Sequence, residues 1–112
     1  MDTAPYRVRL AQELDALAEE SAAAKEARAP VELDQQSVGR LSRMDAIQVQ
    51  AMAQETERRR QVRMEVVRAA LKRIEGGEFG ACLTCGEDIA AKRLELDPAI
   101  ATCIDCAGGS KR

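Results

Sequence analysis

Two cysteine pairs, Cys82-Leu83-Thr84-Cys85 and Cys103-Ile104-Asp105-Cys106, stand seventeen residues apart near the end of this 112-residue chain. Each C-x2-C places two sulfurs on one tight turn. Two such turns facing each other close a tetrahedron around one ion, with Zn–S bonds of roughly 2.3 Å. The chain has no histidine, so all four ligands are thiolates and no coordination position is left open for water or substrate. The chemistry expected is one structural Zn²⁺ per chain, held by Cys82, Cys85, Cys103 and Cys106. An iron–sulfur cluster is the alternative for the same donors. Two disulfides would need an oxidising compartment, and the start Met1-Asp2-Thr3-Ala4-Pro5 offers no apolar signal segment. A redox C-x-x-C stands alone at a helix start within a βαβ pattern, which is missing here.

Charge supplies the second candidate for function. The whole chain carries a formal −2, so no general basic character invites nucleic acid. Residues 55–75 nonetheless hold seven basic and four acidic side chains, centred on Arg58, Arg59, Arg60 and Arg63. One reading is a solvated helix face with Glu55, Glu57 and Glu65 in i,i+3 or i,i+4 pairs. The other is a basic strip that docks on an acidic protein surface or a nucleotide. Residues 76–112 hold six acidic and four basic side chains, which makes a poor phosphate binder. Sequence-specific DNA contact is therefore not expected. No apolar run approaches the ~20 residues needed to span a bilayer, and a cytoplasmic protein is expected. Nor is an enzyme. Histidine is absent, the thiols are committed, and Gly76-Gly77 reads as a helix stop, not a phosphate cradle.

The elements that must position these groups are helices. Strong helix formers dominate residues 5–75, while the chain holds one Phe, one Tyr and no Trp. A first helix is expected over about 4–28, with Leu10, Leu14, Leu17, Ser21 and Ala24 in one four-three stripe. Pro5 suits its first turn and Pro30 ends it. Asp34 is a candidate N-cap for a second helix over about 34–75, with a break near Gly39 as the alternative. Its last third shows a stripe of Met64, Val67, Leu71 and Ile74. Its first third offers Val38, Leu41, Met44, Ala51 and Met52. The expected fold is mainly α: an antiparallel, coiled-coil-like helical hairpin over residues 1–75, then a four-cysteine finger over 76–112. Phe79, Ile89, Leu94, Leu96 and Ile100 are the apolar filling of a finger too small to fold without its metal. Arg93 is expected to offset the charge of the site or to pair with Glu95 or Asp97.

The order of parts resembles the DksA/TraR family of bacterial transcription regulators. The resemblance rests on Phe79-Gly80, Cys82, Cys85, Ile89, Arg93-Leu94-Glu95, Pro98, Cys103 and Cys106; Leu83 departs from the family's usual Asp, Glu or Ser. It implies a regulator that inserts its hairpin tip into the secondary channel of RNA polymerase without sequence-specific DNA contacts. Acidic tip residues carry that effect in the family, in an Asp-x-x-Asp-x-Ala pattern that this chain lacks. Its nearest counterparts are Glu32 and Asp34 at the connection, or Asp45-Ala46. With six residues after Cys106, the family's longer C-terminal helix is not expected. The competing reading is a zinc-stapled interaction module whose hairpin binds another protein or a second copy of itself.

Overall fold

A computed structural model describes residues 1–29 and 40–108. Pro30, Glu32, Asp34, Val38 and Gly39 lie outside the described residues, and so does the side chain of Leu41. The described chain is helical: α1 is Ala4–Ala23, α2 Arg40–Glu75, α3 Ala91–Leu96 and α4 Ile104–Ala107. The Asp2 carboxylate accepts the Ala4 N–H at 3.0 Å and so satisfies one of the orphan donors at the start of α1. Past Ala23 the helix tightens. Lys25 N–H reaches back three residues to Ala22, and a single 3₁₀ turn, Glu26–Arg28, follows. Arg28 folds back on this end and donates to the Ser21 carbonyl at 2.8 Å.

The end of α2 is a complete Schellman motif. Glu78 N–H bonds the Arg73 carbonyl at 2.8 Å and Gly77 N–H the Ile74 carbonyl at 3.2 Å. Gly77 takes φ +75°, the left-handed conformation that only glycine adopts without cost. Of the two glycines expected to stop the helix, the second is therefore the one that turns the chain.

Two compact units divide the chain: Met1–Asp15 with Met64–Arg112, and Ala16–Arg63. In the first, Leu10 packs with Val67, Ala70 and Ala99, and Leu14, Leu71, Ile74 and Phe79 close around them. In the second, the pairing of α1 with α2 is polar. Ser21 lies opposite Glu57, and Ala29 opposite Gln50, so the two helices run antiparallel there.

On α1 the predicted stripe of Leu10, Leu14, Leu17 and Ser21 is less exposed throughout and is continued by Ala24 just past the helix; Tyr6 and Glu13 are less exposed as well. On α2 every member of the series Ala46, Gln50, Ala53, Glu57, Arg60, Met64, Val67, Leu71 and Ile74 is less exposed, in unbroken four-three spacing, and Arg63, Ala70 and Arg73 beside it are less exposed too. The stripe expected in the first third of α2 is thus displaced. Met44, Ala51 and Met52 are exposed, and Ala46, Gln50 and Ala53 face inward. The partner surface is polar farther along: Ser21 on α1 and Arg28 in the 3₁₀ turn both face Glu57 of α2.

Candidate metal centre

The first cysteine pair sits on a short two-stranded turn. Cys82 N–H donates to the Glu87 carbonyl at 2.8 Å, Ile89 N–H to Gly80 at 2.7 Å, and Ala81 bridges antiparallel to Asp88. Gly86 N–H closes the loop onto the Cys82 carbonyl at 2.9 Å, with φ +78° at Gly86. A left-handed residue is required there, which explains glycine directly after Cys85. The second pair is built differently. Cys103 is the N-cap residue of α4 and Cys106 lies in its first turn, with Ala107 N–H bonded to the Cys103 carbonyl at 2.9 Å.

Backbone contacts align the two pairs. Leu83 N–H donates to the Ala101 carbonyl at 2.9 Å, which ties the first loop to the approach of the second. Arg93 Nε donates to the Thr102 carbonyl at 3.0 Å, one residue before Cys103. Arg93 thus braces the backbone that carries a ligand, a role that charge reasoning on the sequence did not reach. Asp97 Oδ1 accepts the Ala99 N–H at 3.0 Å and shapes the turn around Pro98.

These constraints bring the four Sγ atoms within 4.8 Å of one another. All four are free thiols. Cys85 Sγ and Cys103 Sγ stand 3.8 Å apart. Four ligands at about 2.3 Å from a central Zn²⁺ are separated by roughly 3.8 Å along each tetrahedral edge, so the spacing fits that ion. The electrostatics fit as well. Burial pushes the Cys106 thiol up, reinforced by Cys103, Cys82 and Cys85, to about 12. Burial acts the same way on Cys82, but N–H groups of Cys103, Cys85 and Thr84 outweigh it and bring that thiol down to about 6. The cluster can ionise one thiol easily and resists ionising all four. A divalent cation at its centre removes that resistance, since coordinated thiols lose their protons outright.

Cys82, Ile89 and Leu94 are buried together, and Tyr6, Phe79, Ile100 and the other cysteines pack around them. Phe79 also contacts the Leu10 cluster, and its ring centroid is 5.3 Å from that of Tyr6. Leu96, expected inside, is 84 % exposed while Leu94 is fully buried. Two residues apart on a helix, they point to opposite sides.

The four arginines of the basic strip differ in exposure. Arg58 and Arg59 are 65 % and 78 % exposed and both pair with Glu55. The Arg58 guanidinium, bonded to Glu55, holds that carboxyl down to about 2. Arg60 is only 13 % exposed, pairs with Glu57, and lies 3.6 Å from Glu20. Arg63 is half-buried on α2. Glu57 accepts from the Ser21 hydroxyl at 2.6 Å and from Gln61 at 2.7 Å, and Arg28 stands 3.5 Å away. The Ser21 hydroxyl first, then Gln61 and Arg60, hold its carboxyl at about 2. Asp45 is exposed in the second described turn of α2, and Ala46 beside it is half-buried. Glu32 and Asp34 lie outside the described residues. Among the described residues no helix is long and apolar enough to cross a membrane.

Comparison with known proteins places this centre. Residues 77–112 match the prokaryotic dksA/traR C4-type zinc finger. The RNA polymerase-binding transcription factor DksA of Haemophilus influenzae is 44 % identical over 43 residues, 38 % of this chain and 30 % of that protein. Its namesake in Escherichia coli K12 is 42 % identical over 40 residues, 36 % of this chain and 26 % of that protein. The match therefore spans less than a third of either relative. The structure of transcription factor DksA2 from Pseudomonas aeruginosa superposes with a TM-score of 0.77 at 21 % identity, covering 97 % of this chain and 84 % of that one. At that identity the likeness shows a shared fold. Over residues 77–112, then, the chain is similar to the C4-type zinc finger of the dksA/traR family, at moderate identity to its DksA relatives.

Proposed function

We propose that this chain is a cytoplasmic, zinc-containing transcription regulator that binds RNA polymerase through its secondary channel and modulates initiation without sequence-specific DNA contacts. In this reading the hairpin of residues 1–75 enters the channel, and the finger of 76–112 closes the other end of the hairpin around one Zn²⁺ held by Cys82, Cys85, Cys103 and Cys106. The metal supplies folding free energy and no chemistry, because four thiolates leave no open position. The observation that carries the reading is the finger's identity with DksA proteins, combined with a fold that matches DksA2 over nearly the whole chain. Asp45, exposed on α2 beside Ala46, is the described carboxylate offered for the acting role. Glu32 and Asp34 are the other candidates. Arg58 and Arg59 are the exposed cations offered for docking.

The test is a binding and transcription assay with purified polymerase. Wild type should bind and change the yield of initiation in vitro. Asp45→Asn should bind but lose the effect. An R58Q/R59Q double variant should bind more weakly, most clearly at low salt. Absence of binding by the wild type would favour the zinc-stapled interaction module, acting on another protein or as a homodimer. An Asp45→Asn variant with full effect would move the acting role to Glu32 or Asp34.

A further inference from the structure

The outward side of α2 carries a second stripe, opposite the inward series that runs from Ala46 to Ile74. Met44, Ile47 and Ala51 lead to Glu55; Arg58 then leads to Val62, Val66 and Ala69. All of these side chains are exposed. They lie on one uninterrupted helix, Arg40–Glu75, so spacing alone gives them a common face. The intervals are three, four, four, three, four, four and three residues. That is an eleven-residue repeat of about 3.67 residues per turn, which lets two such stripes run side by side with only a slight right-handed supercoil. Single exposed aliphatic residues need no explanation; apolar groups spaced along one helix face, with one ion pair at the middle, do.

The order of intervals is the same from either end, and so is the chemistry. A face built for an unrelated partner has no reason to read alike in both directions. We propose that this face pairs with the same face of a second copy of the chain, antiparallel, about a two-fold axis near Thr56. In that alignment Met44 meets Ala69 of the other copy, Ile47 meets Val66, and Ala51 meets Val62. Glu55 meets Arg58, and Asp45 meets Arg68. The pairs within each helix persist, Arg58 with Glu55 at 2.6 Å and Arg68 with Glu65 at 3.2 Å, because a guanidinium has further donors for a second carboxylate. A parallel pairing would set Glu55 on Glu55 and Arg58 on Arg58, so the charges select the antiparallel one. They set orientation more than strength.

From Met44 to Ala69 the seam runs about 38 Å at 1.5 Å per residue. At a width of roughly 10 Å it covers about 400 Å² of each copy, the low end for a specific interface. The dimer is therefore reversible and forms as concentration rises. Asp45 and Arg58 are covered in it. On the function proposed above, a paired chain is thereby held back from polymerase; the pairing itself does not rest on that function.

Sedimentation velocity of the zinc-loaded chain over roughly 1 μM to 1 mM tests the pairing. The wild type should pass from monomer to dimer across that range. Val62→Glu and, separately, Glu55→Arg should each weaken dimerisation roughly tenfold or more, the second by setting arginine on arginine across the axis. Adding Arg58→Glu to Glu55→Arg reverses both charges, regains the pairing, and should bring dimerisation back to within about threefold of wild type. Photocrosslinking from an Ile47→benzoylphenylalanine variant, in a mixture of light and heavy-isotope chains, should reach residues 62–69 of the other copy. Zinc content and helical circular dichroism, measured on each variant, separate lost pairing from lost fold. A wild type that stays monomeric to the top of the range would overturn the proposal. So would wild-type dimerisation in Val62→Glu, a double charge reversal no better than Glu55→Arg alone, or a crosslink from position 47 to the same segment of the other copy. No polymerase enters these measurements, so their failure is distinct from a failure of polymerase binding.

Discussion

Replacing Leu94 with alanine should weaken zinc binding without touching a ligand. Leu94 is fully buried against Cys82 and Ile89. Truncating a leucine so placed costs about 2–5 kcal/mol, and the close packing of Ile100 and Phe79 leaves little room for collapse. On the proposed reading, folding of the finger and metal binding are one reaction, to which structural zinc contributes about 10–16 kcal/mol. A loss of about 3 kcal/mol is therefore too small to unfold the zinc-saturated protein. It is large enough to lower apparent zinc affinity roughly a hundredfold, at about 1.4 kcal/mol per decade. Leu96→Ala is the matched control, since that side chain is 84 % exposed and its loss should stay within about 0.5 kcal/mol. Competition against a chelating dye measures both. Wild-type affinity in Leu94→Ala, or an equal loss in Leu96→Ala, would refute the claim that this cluster and the metal fold together.

Chelating the metal, or changing Cys103 to serine, should alter the emission of Tyr6, the single tyrosine, because its ring packs on Phe79 beside the cysteines; most helical circular dichroism should persist, and its near-complete loss would contradict this. Arg60→Gln should lower the melting temperature measurably and R58Q/R59Q hardly at all, since the first removes a half-buried partner of Glu57 and the second removes exposed pairs. Glu57 has its carboxyl lowered from 4.5 to about 2. It therefore contributes stability above the ordinary carboxylate value, and that contribution is lost as pH falls from about 4.5 through about 2; Glu57→Gln should flatten this part of the acid-denaturation curve. Gly77→Ala should cost about 1 kcal/mol in thermal denaturation through backbone strain alone, because its φ is +75° and an added Cβ meets nothing within 4 Å. Gly76→Ala, without positive φ and with the nearest atom at 3.5 Å, should be near neutral.

The four-cysteine cluster was legible because cysteine spacing is a local code: two C-x2-C units and a glycine after the first specify the turn and the donor set. The apolar stripes of α1 and of the last third of α2 were legible for the same reason, as periodicity of Leu, Val, Met and Ile. The middle of α2 was not, because its inward positions are Gln50, Glu57 and Arg60, which read as surface residues one at a time. The signal lay in the period. Counting back from Ile74, Leu71, Val67 and Met64 by three and four lands on Arg60, Glu57, Ala53, Gln50 and Ala46. Leu96 could not be told from core, since in so short a finger each aliphatic residue looks needed until helix direction assigns it a side.

The carboxylate of Glu57 also limits how the two helices can slide. An apolar stripe repeats every heptad and tolerates a shift by one turn at modest cost. Moving α2 by a turn would set Glu57 against Leu17 or Ala24, neither of which can donate to it, and would strand Arg28 and the Ser21 hydroxyl. One alignment is thus favoured over its neighbours by hydrogen-bond accounting and not by the fit of methyl groups. The segment joining the helices is then relieved of setting the pairing.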